Sequence, residues 1–390
     1  MTTFKVALVG LGEIAEKRYA RLIKRNPAVQ LAAVSSRRAE TAQAFASAHG
    51  AARWTTDFDT IANDRGIDAV IIATPHPTHA SLAVAALKAG KHVLIEKPLA
   101  TSFEDAQAVA AAAKESDKVP MALPFDAKPW MLAVVDVLRG GGIGKIVGLA
   151  IDQAGPGPPA SRAWKYRRDQ AGGGVLLGHG VYGLSVIASL MGPAQAVSAE
   201  TRTVFSERAL PSGQTIACDI EDACLLSLRF PSRQLVHLAS SWTSDTAYET
   251  ITIHGSHGII VVASGQVWLR RGTPRGGGSG AEENARRGGA DRSDDAAPMR
   301  GFEPVPTPRG LGGIVDHFVD CIRHGRRPWS SIEQAVHVTE TIVRAYDSSA
   351  RGGVAVPLVT TFEPSAQLPH ELFDLSITSS IQTEVPHAVH

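Results

Sequence analysis

The sequence predicts an α/β protein with two unlike parts, a doubly wound parallel sheet followed by an α+β domain with a mostly antiparallel sheet. Two observations support this prediction. Through about residue 123, short continuous apolar runs alternate with helical patterns, as a parallel sheet buried on both faces requires. From about 195 to 271, strand-like runs instead follow one another with short turns between them, as in an antiparallel sheet.

The elements of the first part can be placed in order along the chain. Each short apolar run is a strand candidate, and a helix-like stretch follows it. The strand candidates read KVALVG, LAAVSS, DAVIIATP and KHVLIEKP. The clearest helices read HASLAVAALKAG and SFEDAQAVAAAAKES. This repeated strand–helix order predicts strands that run parallel to one another.

The second part begins where this pattern changes. We expect the chain to divide into 1–123, 124–360 and a tail with few core signals, 361–390. Residues 272–310 are rich in Gly, Arg, Asp and Pro and lack periodicity, so we expect a flexible surface loop there. Helical patterns are predicted at about 129–139, 312–324 and 332–350.

Composition argues against several classes of protein. A chain of 390 residues is long enough for at least two domains, and 44% hydrophobic with 20% charged residues allows cores without disulfides or a metal. The formal net charge of +1 gives no electrostatic reason to expect nucleic acid or an anionic membrane as a partner. Cys218, Cys224 and Cys321 have neither CxxC nor metal-quartet spacing, so we expect no metal site.

The start of the chain and its cysteine content predict a location. The stretch FKVALVGLG is not preceded by a basic segment, an apolar segment and a cleavage site, so we expect no signal peptide. We find no apolar run of the roughly 18 residues that a bilayer span needs. Scarce cysteine fits a reducing compartment. We therefore expect a cytoplasmic protein.

A glycine turn follows the first strand. Gly10, Gly12 and Ala15 have G-x-G-x-x-A spacing between a buried strand and a helix. The first glycine permits a tight turn, the second lets the backbone approach a pyrophosphate, and the alanine allows close packing of helix on strand. We expect this turn, which includes Glu13 and Ile14, to bind a dinucleotide.

The end of the second strand bears on the choice of dinucleotide. NAD-binding proteins usually place Asp or Glu there for the ribose hydroxyls. This chain has Ser36, followed by Arg37 and Arg38. The absence of a carboxylate removes repulsion toward a 2′-phosphate, and an arginine can pair with that phosphate, so NADP is favoured over NAD. The alternative is that these arginines only begin a solvated helix.

Several segments together give the chain a family resemblance. They are the glycine turn, Thr74-Pro75 with His79, Glu96-Lys97-Pro98, the triple glycine at 172–174, and the late segment FVDCIRHGRRPWSSIEQAVHVTETIVRA. With these motifs the chain resembles the glucose–fructose oxidoreductase / inositol dehydrogenase (Gfo/Idh/MocA) family over nearly its whole length. The resemblance implies a Rossmann domain and then an open-sheet domain that binds substrate and forms oligomer contacts. It thus implies a homo-oligomer, a dimer or tetramer.

Lys97 is the strongest catalytic candidate. Interconverting an alcohol and a ketone requires a group that takes or gives the hydroxyl proton. A partly desolvated lysine can have its pKa lowered toward working pH. The resemblance assigns this role to Lys97, and it implies that Glu96 orients local groups and the ribose and that Pro98 follows a cis bond.

The resemblance also implies further contacts. Ala73, Thr74 and Pro75 are expected along the nicotinamide, and His79 matches a common family histidine that is also compatible with a structural role. The substrate-binding candidates, besides Lys97 and Tyr182, are Asp126, Trp164, Arg168 and His179. For Trp164, structural packing is the alternative.

The stretch GGGVLLGHGVYGLSVI, residues 172–187, departs from the family pattern, which places Asp and His four residues apart on one helical face. This chain has Gly178 and Tyr182 at those positions. A nearby lysine would lower the tyrosine pKa from about 10, so Lys97 and Tyr182 are interpreted as an acid–base pair, with core packing as the alternative for Tyr182. His179 lies about 100° around the helix from Gly178 and cannot simply replace the missing carboxylate.

Three functional hypotheses follow. The leading one is an NADP-dependent oxidoreductase, with NAD as the other cofactor, acting on a secondary alcohol or lactol of a sugar or cyclic polyol. The second is a dehydrogenase of non-aromatic cyclic diols, favoured by Tyr182 and the missing carboxylate. The third is a non-catalytic, dinucleotide-sensing regulator, which Gly178 favours and the retention of Glu96, Lys97 and Tyr182 opposes.

Overall fold

The computed structural model describes residues 3–124, 127–209, 213–272 and 301–368, together with Leu372. Within these ranges the chain forms two large sheets and one two-stranded ribbon. The predicted α/β architecture, a parallel sheet followed by a mostly antiparallel one, is confirmed.

The first sheet has six parallel strands in the order β3-β2-β1-β4-β5-β6. The strands are β1 Phe4–Val9, β2 Val29–Ser35, β3 Arg53–Thr55, β4 Ala69–Ile72, β5 His92–Ile95 and β6 Pro120–Ala122. All four residues of β4 are buried, because helices cover both faces of the sheet. The strand order reverses between β1 and β4, and the crevice at such a point is where open α/β sheets bind ligands.

Helices connect these strands. They are α1 Ala20–Arg25, which continues a wide π-type turn at Ala15–Tyr19, α2 Ala39–His49, α3 Phe58–Ala62, α4 His79–Lys88 and α5 Phe103–Lys114. Side chains cap two of them, since Asp57 and Ser102 accept hydrogen bonds from backbone N–H groups in the first turn. The helices thus begin close to the carboxyl ends of the strands.

The second sheet has nine strands in the order β16-β15-β14-β13-β7-β12-β11-β8-β17. Its first strand in the chain, β7, lies at the centre and runs parallel to β12, whereas the other described neighbours are antiparallel. The strands are β7 Ile146–Ala154, β8 Ala196–Arg202, β11 Ala223–Arg229, β12 Leu235–Ser241, β13 Tyr248–Gly255, β14 Gly258–Ala263, β15 Gln266–Arg271, β16 Glu303–Val305 and β17 Val356–Pro357. The ribbon pairs β9 Glu207–Ala209 with β10 Thr215–Ala217.

The helices of the second part cover one face of this sheet, and the last two of these helices also contact the first part. They are α6 Pro129–Arg139, α7 Arg168–Ala171, α8 Val181–Met191, α9 Ile314–His324 and α10 Ile332–Ala350. A 3₁₀ segment, Ala160–Tyr166, precedes α7, and a π-type turn, Leu176–Gly180, precedes α8. Phe318 of α9 is buried in the core of the first sheet, whereas Ile342 of α10 is buried in the core of the second.

Parts of the expected loop and tail are ordered into the sheet or the core. Glu303–Val305 pairs with β15, so three residues of the predicted 272–310 loop form a strand. Phe362 and Ala366 are buried in the core of the second sheet, although the tail shows few core signals in sequence. Residues 273–300 of the predicted loop lie outside the described residues.

One helical stretch has the length and apolar composition of a membrane span. It is Arg168–Met191, so the expectation that no run is long enough is wrong for this segment by those criteria. The sequence reading missed it because glycines and charges interrupt its start. Of its most apolar window of 18 residues, 83% is buried inside the protein, so its apolar side chains pack in the core.

Candidate active site

The glycine turn after β1 is shaped to receive a dinucleotide. Gly10 has φ +88°, and a Cβ there would lie 2.6 Å from the backbone of Ala73 and Thr74, so only glycine allows the turn to touch the end of β4. A Cβ on Gly12 would have no atom within 4 Å. The backbone at Gly12 is therefore open on the side where a pyrophosphate approaches in this type of turn. The turn fits the cofactor that its sequence predicts.

The neighbouring strand ends present the other predicted cofactor residues. Ser36 follows β2, and its hydroxyl accepts a long hydrogen bond, 3.4 Å, from the backbone N–H of Arg38. The side chains of Arg37 and Arg38 are exposed. Ile14 is partly buried and packs on the first core, whereas Pro75 after β4 is exposed. Apart from Ile14, these predicted contacts lie at an accessible edge of the sheet.

His79 is not an accessible cofactor ligand, which corrects its assignment as a cofactor-binding residue. Its side chain is fully buried. One ring nitrogen lies 2.7 Å from the carbonyl oxygen of Pro98, and the other lies 2.8 Å from that of Thr74. The ring therefore links the loop after β4 to the loop after β5. This is the structural role that its sequence position also allowed.

Glu96 organises the end of β5. One carboxylate oxygen accepts hydrogen bonds from Arg18 and from the hydroxyl of Tyr19, both 3.0 Å long. The other oxygen accepts the backbone N–H of Lys97 at 3.1 Å. Glu96 thus orients local groups, as expected. Arg18 and Tyr19 were missed in the sequence, although they lie one helical turn beyond the glycine turn.

Lys97 meets the second domain at the predicted helix. Its residue is 9% exposed, and its Nζ donates a hydrogen bond to the carbonyl oxygen of Gly178. The peptide bond between Lys97 and Pro98 is cis. Burial lowers the pKa of Lys97 to about 8, against the opposing effect of Glu96. A lysine with this pKa exchanges a proton readily near neutral pH.

Tyr182 lies beside Lys97, but the expected acid–base pair is wrong in its electrostatics. The ammonium nitrogen lies over the ring face, 4.5 Å from the centroid. Burial raises the pKa of Tyr182, and the charge of Glu96 raises it further, while Arg18 and Lys128 oppose the shift. The phenol therefore stays protonated near neutral pH, whereas the sequence predicts a lowered pKa.

His179 and Gly178 occupy the same turn before α8. Burial lowers the pKa of His179 to about 4, so its ring is neutral at physiological pH. In the described part of the chain its Nδ1 is buried without a hydrogen-bond partner. The ring of His179 meets that of Tyr182 edge to face at 6.3 Å between centroids. These contacts place His179 with Lys97 and Tyr182, as predicted.

A second lysine and an arginine reach the same cleft from the segment before the triple glycine. Arg162 pairs with Glu13 of the glycine turn, with 3.1 Å between Nε and the carboxylate. Burial and the charges of Lys97 and Arg162 lower the pKa of Lys165 to about 7. Arg162 was not among the predicted site residues, because it lies in an irregular segment without a motif.

The remaining substrate candidates, Trp164, Arg168 and Asp126, have no described contact with Lys97. Trp164 packs edge-on against His76, 5.0 Å between ring centroids. Arg168 pairs with Glu221 at 3.6 Å, and its guanidinium lies 6.0 Å from the ring centroid of Tyr346. Its position therefore supports packing of the second domain. Asp126 lies outside the described residues.

Glu221 explains the last of the three glycines, Gly174, and was not predicted. One of its carboxylate oxygens accepts the backbone N–H groups of Gly174 and Leu176, at 2.9 and 3.2 Å, and the hydroxyl of Tyr346 at 2.7 Å. A Cβ on Gly174 would overlap the carbonyl oxygen of Glu221. Gly174 thus allows a close approach that fixes the start of the turn carrying Gly178 and His179.

No group of three or more His, Cys, Asp or Glu side chains within the described ranges has an arrangement that could hold a metal ion. Lys97, with its lowered pKa, can exchange a proton beside the dinucleotide turn.

Comparisons with known families agree with this site. The model of the Gfo/Idh/MocA oxidoreductase family, NAD-binding Rossmann fold, matches residues 4–123, and the model of the GFO/IDH/MocA C-terminal domain matches residues 131–261. Together these matches cover more than half of the chain.

Two individual relatives are identical to this chain at fewer than a third of the aligned positions. The 1,5-anhydro-D-fructose reductase of Ensifer adhaerens is 27% identical over 236 residues, which cover 60% of this chain and 68% of that protein. The levoglucosan dehydrogenase of Pseudarthrobacter phenanthrenivorans is 30% identical over 226 residues, which cover 53% of this chain and 58% of that protein.

A solved structure extends the likeness in fold to most of the chain. A levoglucosan dehydrogenase in complex with NADH and L-sorbose superposes with a TM-score of 0.76, at 23% identity, over 92% of this chain and 99% of that chain. The two matching domain models and the site around Lys97 lead to one assignment. The chain belongs to the Gfo/Idh/MocA family of NAD(P)-dependent oxidoreductases.

Proposed function

We propose that the protein interconverts a secondary alcohol and a ketone, or a lactol and a lactone, on a sugar or cyclic polyol. The observation that carries this proposal is Lys97, a buried lysine that lies between the dinucleotide turn and the second domain and has its pKa lowered to about 8. The names of the relatives support the substrate class, since one is a reductase of 1,5-anhydro-D-fructose.

The site residues divide the work of such a reaction. The nicotinamide, when bound, supplies or accepts the hydride. In alcohol oxidation the neutral amine of Lys97 takes the hydroxyl proton, and in ketone reduction its ammonium returns that proton. Tyr182, which stays protonated, and His179, which stays neutral, offer hydrogen bonds that orient the substrate oxygens.

A variant of Lys97 tests the proposal directly. In Lys97→Met we expect kcat on a panel of sugars, inositols and cyclic diols to fall by about 10²–10⁴, because the proton acceptor is lost. The dissociation constant for the reduced cofactor, measured by its fluorescence, should change little. Lys88→Met, at an exposed lysine of α4, is the matched control. If Lys97→Met kept the turnover of the wild type, the proposed mechanism would be wrong.

We further propose that NADP is preferred to NAD. The support is the absence of a carboxylate at the end of β2, where Ser36 is followed by the exposed Arg37 and Arg38. A 2′-phosphate there would meet two guanidinium groups and no negative charge. We expect the KM for NADP to be lower than that for NAD, and Arg37→Gln/Arg38→Gln to raise only the KM for NADP. A lower KM for NAD in the wild type would contradict this preference.

Dehydrogenation of a non-aromatic cyclic diol is a second candidate. It is favoured by the absence of a carboxylate at Gly178, next to Lys97, because such a diol has fewer hydroxyl groups to bind than a sugar has. Cyclic diols in the same panel distinguish the two candidates, since the preferred class will show the higher kcat/KM. The sensing hypothesis from the sequence is not favoured, because a sensor has no use for a lysine poised for proton exchange.

A further inference from the structure

The space beside Gly178 is filled by an indole ring. A Cβ built on Gly178 would lie 2.7 Å from Cη2 and 2.8 Å from Cζ2 of Trp242. Real Cβ atoms essentially never come within 3.0 Å of such an atom, and the indole is not the end of a flexible chain. Gly178 is therefore more than a missing carboxylate, since no side chain can stand there unless Trp242 moves.

Trp242 is held firmly in this position. Its side chain and backbone are 94% buried, given a relative exposure of 6%. The ring of Tyr166 packs edge-on against it at 6.3 Å between centroids. Its backbone N–H donates to the carbonyl oxygen of Asp222 at 2.7 Å, and its own carbonyl accepts from Arg208 at 2.9 Å. The indole therefore acts as a fixed wall.

This wall borders the residue that accepts a hydrogen bond from Lys97. The carbonyl oxygen of Gly178 accepts the hydrogen bond from Nζ of Lys97, while the Cα of the same residue faces the indole edge. The next residue, His179, leaves a buried Nδ1 without a described partner. Around this turn a substrate would meet the neutral Nδ1 of His179 and the indole edge of Trp242, and it would meet no carboxylate at position 178.

We propose that Trp242 determines substrate specificity. The indole edge stands where an acceptor for a substrate hydroxyl would otherwise lie, so the preferred substrate presents a C–H group there, as a deoxy or anhydro sugar does. This inference rests on the proposed function. A hydroxyl pressed against the indole edge loses its water without gaining an acceptor, which costs about 1–3 kcal/mol. That cost corresponds to a discrimination of roughly 10- to 100-fold in kcat/KM.

The test compares matched sugars. For the wild type, kcat/KM is measured with glucose, 2-deoxyglucose, 3-deoxyglucose and 1,5-anhydroglucitol, and a discrimination ratio is taken between the best of the three analogues and glucose. We expect a ratio of roughly 10 or more. Trp242→Ala should reduce it to within about threefold of 1, and Trp242→Phe, which keeps an aromatic ring but lacks the Cζ2–Cη2 edge, should give an intermediate ratio.

Further variants separate a specific effect from a general one. Trp268→Phe, on β15 near the edge of the second sheet, should keep the ratio of the wild type. The double variant Gly178→Asp/Trp242→Ala should give a ratio below 1, because a carboxylate can then accept a hydrogen bond from the sugar hydroxyl. Thermal melting and cofactor binding report whether each variant folds, and Trp242→Phe decides the question if Trp242→Ala does not fold.

The outcomes distinguish this inference from the proposed function. If the wild type turns over these sugars but prefers glucose, or if Trp242→Phe and every folded Trp242→Ala sample keep its ratio, the inference is overturned and the proposed function stands. If the wild type turns over none of these four sugars but turns over another member of the panel of sugars, inositols and cyclic diols, only the inference is overturned. If it turns over no member of that panel with either cofactor, both are overturned.

Discussion

The cofactor side and the substrate side of the site are built from the sequence in different ways. On the cofactor side, Gly10, Gly12 and Glu96 follow β1 and β5 at the same edge of one parallel sheet, so local motifs suffice to bring them together. On the substrate side, Gly178 contacts Trp242, a residue 64 positions further along the chain. A short motif can therefore specify the first half, whereas only tertiary packing specifies the second.

Among the variants that compare the two halves, the largest expected effect is on the cofactor half. Gly12→Val places a side chain where a Cβ has no neighbour within 4 Å, so the melting temperature should stay close to that of the wild type. The same side chain would intrude on the pyrophosphate, which costs about 1–3 kcal/mol and weakens cofactor binding roughly 10- to 100-fold. Calorimetric titration with the reduced cofactor measures this loss.

A contrasting variant sharpens this prediction. Gly10→Ala should lower the melting temperature itself, because the new Cβ would clash with the backbone of Ala73 and Thr74 at 2.6 Å. Unchanged cofactor affinity in Gly12→Val would show that the open space beside Gly12 is not the cofactor site.

The pH profile of kcat/KM tests whether Lys97 or Tyr182 exchanges the proton of the substrate hydroxyl. Only the neutral amine of Lys97 accepts a proton, so kcat/KM for alcohol oxidation should rise with pH through about 8, and that for ketone reduction should fall through the same pH. Tyr182→Phe should lower kcat/KM by about 10-fold, the loss expected for one hydrogen bond. It should leave the midpoint unchanged, since burial and Glu96 set the lysine pKa. A midpoint displaced by a full pH unit would restore the lysine–tyrosine pair as the titrating group.

The smallest expected effect is on a residue that supports the substrate half, Tyr346. Tyr346→Phe removes one of three hydrogen bonds to the same buried oxygen of Glu221, so urea unfolding should show a loss of about 1–2 kcal/mol. Tyr248→Phe, at a tyrosine that is 53% exposed, is the matched control and should change stability by less than about 0.5 kcal/mol. Equal losses in both variants would mean that Glu221 does not depend on this hydroxyl.

The same contrast explains how far sequence analysis succeeds. The strands around Val6, Ile71 and Leu94 were predictable because continuous burial leaves an apolar run, and Lys97 was predictable because it ends such a run. The central place of β7 in the second sheet was not, because it depends on a parallel pairing with β12 that no local pattern encodes. Its pairing partner lies more than 80 positions away in the chain.

Charges and burial account for the other differences. The neutral state of Tyr182 follows from burial and from Glu96, and both effects depend on the assembled cleft. His79 has the position of a cofactor ligand in the sequence, but two carbonyl oxygens occupy its ring nitrogens. Domain boundaries, oligomeric state and cellular location stay predictions from the sequence.

The last two helices have a consequence for the order of folding during synthesis. Val315 and Phe318 of α9 complete one core beside the first sheet, and Ile332 and Val336 of α10 complete the other. The N-terminal sheet therefore cannot close its apolar faces until more than 300 residues have left the ribosome. Until then its nascent form exposes apolar surface, which is the kind of surface that chaperones bind.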